Sequence, residues 1–203
     1  FFLNNGPVLL EGWLDRLLAT FDAHPDIGLI GSKLIYPDGR LQEAGGIIWK
    51  DASGWNWGRL RHPDAPEYNF TRDVDYCSGA ALMISSALFR EIGGFDQRYA
   101  PAYYEDTDLA FAVRARGLRV VYQPLSQVVH YEGISAGTDL NSGMKSYQVR
   151  NRARFFDKWR SVLSGHGSAE SRPPRLSADR RVIGRILVVD DCTPTPDQDS
   201  GSI

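Results

Sequence analysis

Apolar residues in this chain fall into short runs rich in Ile, Leu and Val, separated by stretches in which they recur at helical spacing. That alternation predicts helices and strands interleaved along the chain. From Glu11 to His24, the residues Trp13, Leu14, Leu17, Leu18 and Phe21 make one apolar stripe on a surface helix, which Pro25 ends. Residues 27 to 36 and 41 to 49 flank Pro37-Asp38-Gly39-Arg40, a turn signal that predicts a hairpin. Lys50 to Arg72 is polar, carries Trp55, Trp57, Pro63 and Pro66, and reads as a long functional loop. Val74 to Ser85 reads as a buried strand whose small residues, Ser78-Gly79-Ala80-Ala81, admit another backbone or a ligand. Ser86 to Ile92 predicts a short helix that Gly93-Gly94 breaks, and Glu105 to Arg116 predicts another, closed by Gly117. Leu118 to Gln123 and Val128 to Tyr131 read as strands, and Leu140 to Leu163 holds a basic, mostly helical segment.

With 203 residues, 42% of them hydrophobic, the chain can bury one sizeable core. A net charge of -2 speaks against nucleic acid as a partner, since such binders carry a strong basic excess. Charge is nevertheless uneven. Residues 150 to 185 hold ten Lys/Arg against three Asp/Glu, a basic segment suited to peripheral contact with the inner face of a membrane. No apolar run approaches the roughly 18 to 20 residues of a membrane span, and two cysteines, Cys77 and Cys192, cannot build a disulfide framework or a four-ligand zinc site. A reducing, cytoplasmic setting follows. Phe1-Phe2-Leu3 reads as the middle of a buried strand and no initiator Met precedes it, so a piece of a longer, multidomain protein is expected. Composition divides the chain into a body at 1–163, a linker at 164–184 rich in Ser, Gly, Pro and Arg, and the start of a second domain at 185–203.

Reactive side chains concentrate in Gly93-Gly94-Phe95-Asp96 and Tyr103-Tyr104-Glu105-Asp106-Thr107-Asp108-Leu109, with His130 further on. Paired carboxylates at a helix start suit proton transfer, one removing a proton from a hydroxyl while neighbours orient it. Tyr103 and Tyr104 offer flat apolar faces on which sugars stack. Acids in a first helical turn also interact well with the helix dipole, and a single histidine is commonly a hydrogen-bonded structural residue. Spacing alone leaves both readings open.

The ordered run Ser78-Gly79-Ala80, Gly94-Phe95-Asp96, Glu105-Asp106-Thr107-Asp108-Leu109 and His130 resembles family 2 glycosyltransferases. The resemblance covers roughly residues 1 to 160. It includes Leu3-Asn4-Asn5 before Gly12-Trp13-Leu14, Pro37-Asp38-Gly39-Arg40 before Gly45-Gly46, and Asn151-Arg152 before Phe155-Phe156. It implies the C-terminal part of a GT-A fold, an α/β fold with a mixed sheet flanked by helices that binds a nucleotide-sugar donor with Mg2+ or Mn2+. It also implies inverting transfer to a saccharide or lipid-linked acceptor in cell-surface polysaccharide assembly. By this resemblance Asp106 is the general base, Glu105 assists or orients the acceptor, His130 contacts the metal or diphosphate, and Asn4 and Asn5 contact the donor. Trp55 and Trp57 lie in a region that varies in the family, and either contact the acceptor with Tyr103 and Tyr104 or pack on the sheet. Asp108 and Gly94 support the structure.

One position departs from the family pattern. Asn4-Asn5 is usually followed there by an aspartate of the metal-binding acidic motif, and Gly6-Pro7 follows here. A charged ligand is thereby lost. Two other readings stand beside transfer: a non-catalytic carbohydrate-binding or scaffolding module, and a metal-dependent hydrolase with Glu105, Asp106, Asp108 and His130 as ligands. Ile186-Leu187-Val188-Val189-Asp190-Asp191 is similar to the first strand of phosphoacceptor receiver domains, but the Pro194 to Ser202 tail after it resembles better the opening of a Rossmann-like second glycosyltransferase domain.

Overall fold

In a computed structural model, which describes residues 1–4, 6–131, 146–170, 173–180 and 182, the chain begins with β1 (Phe2–Leu3), β2 (Val8–Leu9), α1 (Trp13–Ala23), β3 (Ile27–Ile35), β4 (Leu41–Glu43), β5 (Gly46–Ile48) and β6 (Gly54–Asn56). It continues with β7 (Arg72–Asp73), β8 (Ala81–Ile84), α2 (Ser86–Ile92), α3 (Glu105–Arg114), β9 (Arg119–Val129), α4 (Ser146–Leu163) and α5 (Pro174–Ser177). The main sheet has the order β1-β8-β3-β9-β2, with β4 also on β3 and β7 also on β9. β3 and β9 run parallel at its centre and the other pairings are antiparallel, so the sheet is mixed, as the sequence predicts. β5 and β6 form a separate two-stranded sheet.

Every residue of β3 is buried, and its side chains alternate between two layers because successive Cβ atoms point to opposite faces. Ile30 and Val121 pack with Leu17 of α1, whereas Leu29, Val120 and Tyr122 share a cluster with Leu109, Ala110 and Val113 of α3. Complete burial of Leu17 is worth about 1.5–3 kcal/mol. Gly28 sets how closely α3 approaches: a Cβ there would lie 2.5 Å from Val113 Cγ1 and 2.9 Å from Leu118 Cβ.

Several sequence expectations change in detail. Phe1-Phe2-Leu3 does enter a strand, but β1 lies at the end of the sheet order and Phe1 and Leu3 are 43% and 40% exposed. The second hairpin arm divides at Gly45, whose φ of 76° turns the chain from β4 on the main sheet into β5 on the small one. Only Ala81–Ile84 of the 74–85 run is a regular strand, because the Ser78 and Gly79 amides are taken by the side chains of Glu43 and Asp106. The two strands read near 118–131 are one, β9, with a register shift opposite Ser32 and Lys33. The long polar loop contains β6 and a 3-10 turn at Pro66–Tyr68. In the 164–184 stretch, His166 is buried, Ala178 packs with Ile47 and Trp49, and the Arg180 amide donates to the Asp73 carbonyl. Residues 185–203, Asn5 and the 140–145 part of the basic segment lie outside the described residues.

Candidate active site

The Glu105-Asp106 pair is presented by a strained turn. Tyr103 and Tyr104, immediately before α3, have φ values of 74° and 75°, a left-handed conformation that non-glycine residues adopt at a cost of about 1–3 kcal/mol each. Neighbouring side chains hold it. The buried Asn151 amide donates to the carbonyls of Tyr99 (2.8 Å), Ala102 (2.9 Å) and Tyr103 (3.0 Å). The Tyr104 hydroxyl donates to the Ala52 carbonyl at 2.8 Å and its ring packs on Phe155. Tyr104 is therefore buried and holds the loop, while Tyr103 remains partly exposed.

Asp106 is engaged on both oxygens. Oδ2 accepts from the Gly79 amide at 2.9 Å, and Oδ1 accepts from the Thr107 amide at 2.6 Å and from the Thr107 hydroxyl at 3.2 Å. Burial raises its pKa, and these bonds oppose the rise. Glu105 differs, because its Oε2 is buried with no hydrogen-bond partner among the described residues. Burial first, and the Asp106 charge second, push its pKa up to about 7.

Asp108 points away from the pair. Its Oδ1 accepts from Tyr99 Oη (3.0 Å) and Trp159 Nε1 (2.7 Å), and its Oδ2 lies 2.8 Å from Lys158 Nζ. Lys158 also bonds Asp96 Oδ2 at 2.9 Å, so this network joins α3, α4 and the 96–99 turn. Gly94, at φ 78°, donates its amide to the Phe89 carbonyl at the end of α2.

Asn4 and His130, far apart in sequence, are neighbours: Asn4 Nδ2 lies 3.4 Å from His130 Nε2, and Gln42 Oε1 lies 3.2 Å from His130 Nδ1. A proton on Nδ1 for Gln42 leaves a lone pair on Nε2 for the Asn4 amide. The Asn4 backbone amide donates to the Ala80 carbonyl, which links this corner to the 78–80 turn and so to Asp106. Among the described residues no three His, Cys, Asp or Glu side chains lie close enough together to hold a metal ion. The side chains of Asn4 and Gln42 beside His130 are neutral amides, which by themselves do not fit a divalent cation. Nor do Glu105, Asp106, Asp108 and His130 make the four-ligand site that a metal hydrolase would need.

Trp55 and Trp57, two residues apart along the β6 direction, line one groove of about 600 Å3. Trp55 is 44% exposed and stands edge-on to Trp49, and Trp57 stands edge-on to Tyr68. Sequence reasoning missed the partners Glu43, Asn151 and Lys158. Only Asn151 carried a signal, its place in the Asn151-Arg152 motif.

No family model matches the chain. It is 30% identical over 146 residues to the O-antigen biosynthesis protein RfbC of Myxococcus xanthus, an overlap of 68% of this chain and 11% of that protein. It is 28% identical over 167 residues to the N-acetylglucosaminyl-diphospho-decaprenol L-rhamnosyltransferase of Mycobacterium tuberculosis, 75% of this chain and 54% of that one. The solved structure of GalNAc-T7 with UDP, GalNAc and Mn2+ matches with a TM-score of 0.58 at 14% identity, over 80% of this chain and 32% of that chain. The chain spans from about a tenth to about half the length of these curated relatives. It is similar in sequence to bacterial glycosyltransferases and shares the GT-A type of fold with a solved one.

Proposed function

We propose that this chain carries the acceptor side of an inverting family 2 glycosyltransferase that moves a sugar from a nucleotide-diphosphate donor to a saccharide or lipid-linked acceptor. The observation that carries the reading is the Glu105-Asp106 pair, two desolvated carboxylates at the start of α3 on a turn held by Asn151. The rhamnosyltransferase and O-antigen relatives support glycosyl transfer in cell-surface polysaccharide assembly.

In this reading Asp106 accepts the proton of the acceptor hydroxyl as that oxygen attacks the anomeric carbon and the diphosphate leaves from the opposite face. One displacement inverts the centre. The Gly79 and Thr107 donors fix the Asp106 carboxylate, which keeps the base in one orientation. Glu105, with Oε2 unpartnered and a pKa near 7, exchanges hydrogen bonds with the acceptor and orients it. The same reading assigns contact with the acceptor to Trp55, Trp57 and Tyr103, and contact with the donor to Asn4, Asn5 and His130. The Mn2+ bound with GalNAc-T7 supports a divalent metal, Mg2+ or Mn2+, beside the donor. Such a metal would supply positive charge to the leaving diphosphate. His130 would be its proposed ligand from this chain, and Asn4 and Gln42 beside it are not ligands that hold such an ion by themselves. A cytoplasmic protein touching the inner membrane face through residues 150–185 belongs to the same proposal, as does a second glycosyltransferase-like domain from 185 after a 164–184 linker. Among the described residues no helix is long and apolar enough to cross a membrane.

The test is calorimetric titration with UDP and a nucleotide-sugar panel, with and without Mn2+, followed by an acceptor screen with the product anomer read by NMR. Transfer with inversion is expected. Donor hydrolysis that no acceptor accelerates contradicts the reading. Sugar binding without turnover would favour the carbohydrate-binding module, a reading that Gly6 in place of an aspartate supports.

A further inference from the structure

We infer that the groove between β6 and the 58–68 loop is a subsite for a saccharide bearing an anionic substituent, and that this saccharide is the outer part of the acceptor; the second half rests on the glycosyl-transfer reading above. The groove, about 600 Å3, falls within the roughly 300–1,000 Å3 of small-molecule sites. Its lining combines two chemistries. Trp55 and Trp57 supply aromatic surface, and their edge-on contacts with Trp49 at 5.2 Å and Tyr68 at 5.6 Å fix both rings in place. Arg59, Arg61 and His62 line the groove as well, with Glu67 the acid in its lining, Asp64 3.9 Å from His62, and Arg59 stacked on the Tyr36 ring. A ring with apolar C–H faces suits the tryptophans, and a carboxylate or phosphate on that ring suits the arginines.

The loop is also far better anchored than its polar composition requires. Tyr76 Oη donates to Asn56 Oδ1 at 3.0 Å, and Tyr122 Oη donates to the Tyr68 carbonyl at 2.9 Å. The fully buried Lys33 spends its ammonium on the Pro63 carbonyl (3.0 Å) and Asn69 Oδ1 (2.5 Å). Leu60, at φ 64°, and Arg61 pair through their backbones with Leu41 on the main sheet, each at 2.8 Å. Burying a lysine to fix a surface loop costs desolvation that packing alone would not need. A preformed groove recovers that cost on binding, because less ordering is left to do.

The groove is tested by calorimetric titration of the intact chain with glucose 1-phosphate, glucuronic acid and methyl glucoside at low salt. At least one charged sugar is expected to bind about tenfold or more tightly than methyl glucoside. A preference for the phosphate or for the carboxylate identifies which anion the groove takes, and either supports the subsite. Arg61→Gln should abolish the preference without changing methyl glucoside binding, and Trp55→Ala should weaken all three; both residues are exposed, so folding is spared. Equal binding of charged and neutral sugars, or a preference that survives Arg61→Gln, overturns the subsite even where transfer is intact. Discrimination in the groove by a protein that never glycosylates the preferred class overturns its assignment to the acceptor.

Discussion

Asp106 Oδ2 accepts a hydrogen bond from the Gly79 amide at 2.9 Å, joining the first turn of α3 to the 78–80 turn across 27 residues of sequence. An acid serving only the helix dipole would be spent on its own turn, as Oδ1 is on Thr107. The second oxygen instead clamps a segment whose Ala80 carbonyl holds Asn4, and Asn4 in turn meets His130. One chain of contacts thus links the residues that follow β1 and β9 to the carboxylate.

Asp106→Asn keeps the side-chain volume and an oxygen acceptor for the Gly79 amide, yet removes the base. Transfer measured as kcat/KM is expected to fall by about a hundred- to ten-thousand-fold, while the chain still folds with a lower melting temperature, because the amide nitrogen in place of Oδ1 loses the bond from the Thr107 amide at a cost of about 1–3 kcal/mol. Turnover close to wild type would take the base role away from Asp106.

Glu105 gives folding a pH dependence of defined sign. Its pKa of about 7 in the folded chain exceeds the ordinary 4.5, so the folded state holds the proton more tightly than the unfolded state does. Stability is full below about pH 4.5 and declines as pH rises through 7. Glu105→Gln removes the decline. Urea denaturation should show the variant more stable than wild type at pH 8, by on the order of 1–3 kcal/mol, with the difference closing below pH 5. A constant difference between the two pH values would contradict the shift.

The sheet and the first helix were legible because local sequence and tertiary role agree in them. Ile27 to Ile35 is apolar enough to be buried on both faces, and Trp13, Leu17 and Phe21 keep one stripe for the core, although Leu14 and Leu18 of the expected stripe are exposed. Legibility failed where side chains from elsewhere replaced the ladder: Glu43 and Asp106 take the amides of Ser78 and Gly79, so a run patterned as a strand turns instead. β6 escaped notice because Gly54–Asn56 has almost no pattern, and its pairing with β5 depends on the Gly45 turn. At the candidate site the acids stood out as a dense cluster. Their partners did not, since Asn151 and Lys158 act on residues about fifty positions away that no local spacing connects to them.

Lys158 Nζ stands between two carboxylates, 2.9 Å from Asp96 and 2.8 Å from the buried Asp108. Burial works against ionisation of Asp96, but bonds from Lys158 and Arg98 outweigh it and hold its pKa near 2. An acid depressed in this way stabilises the fold above its ordinary value near 3.8, and the contribution is lost as pH falls toward 2. Lys158→Met should therefore cost about 1–3 kcal/mol at pH 7 and less at pH 3. Denaturation at the two pH values checks it, and an equal cost at both would show that packing of the lysine stem, not charge, is what matters.

Asn151 is irreplaceable by its closest isostere, because what the turn needs is a donor. Its amide nitrogen faces the carbonyl oxygens of Tyr99, Ala102 and Tyr103, and these hold Tyr103 and Tyr104 in the left-handed conformation that starts α3. Asn151→Ala leaves those acceptors without their donor and is expected to destabilise the fold by about 2–3 kcal/mol. Asn151→Asp places a carboxylate against three carbonyl oxygens with no proton to share. At pH 7 it should be at least as damaging as alanine, and it should recover as falling pH protonates the acid, which burial against the carbonyl oxygens makes easier than for a free aspartate. Melting temperatures of the two variants from pH 7 downward decide the point: an aspartate as well tolerated as asparagine at pH 7 would mean that the strained turn is held by the Tyr104 ring and hydroxyl, through Phe155 and Ala52, and not by Asn151.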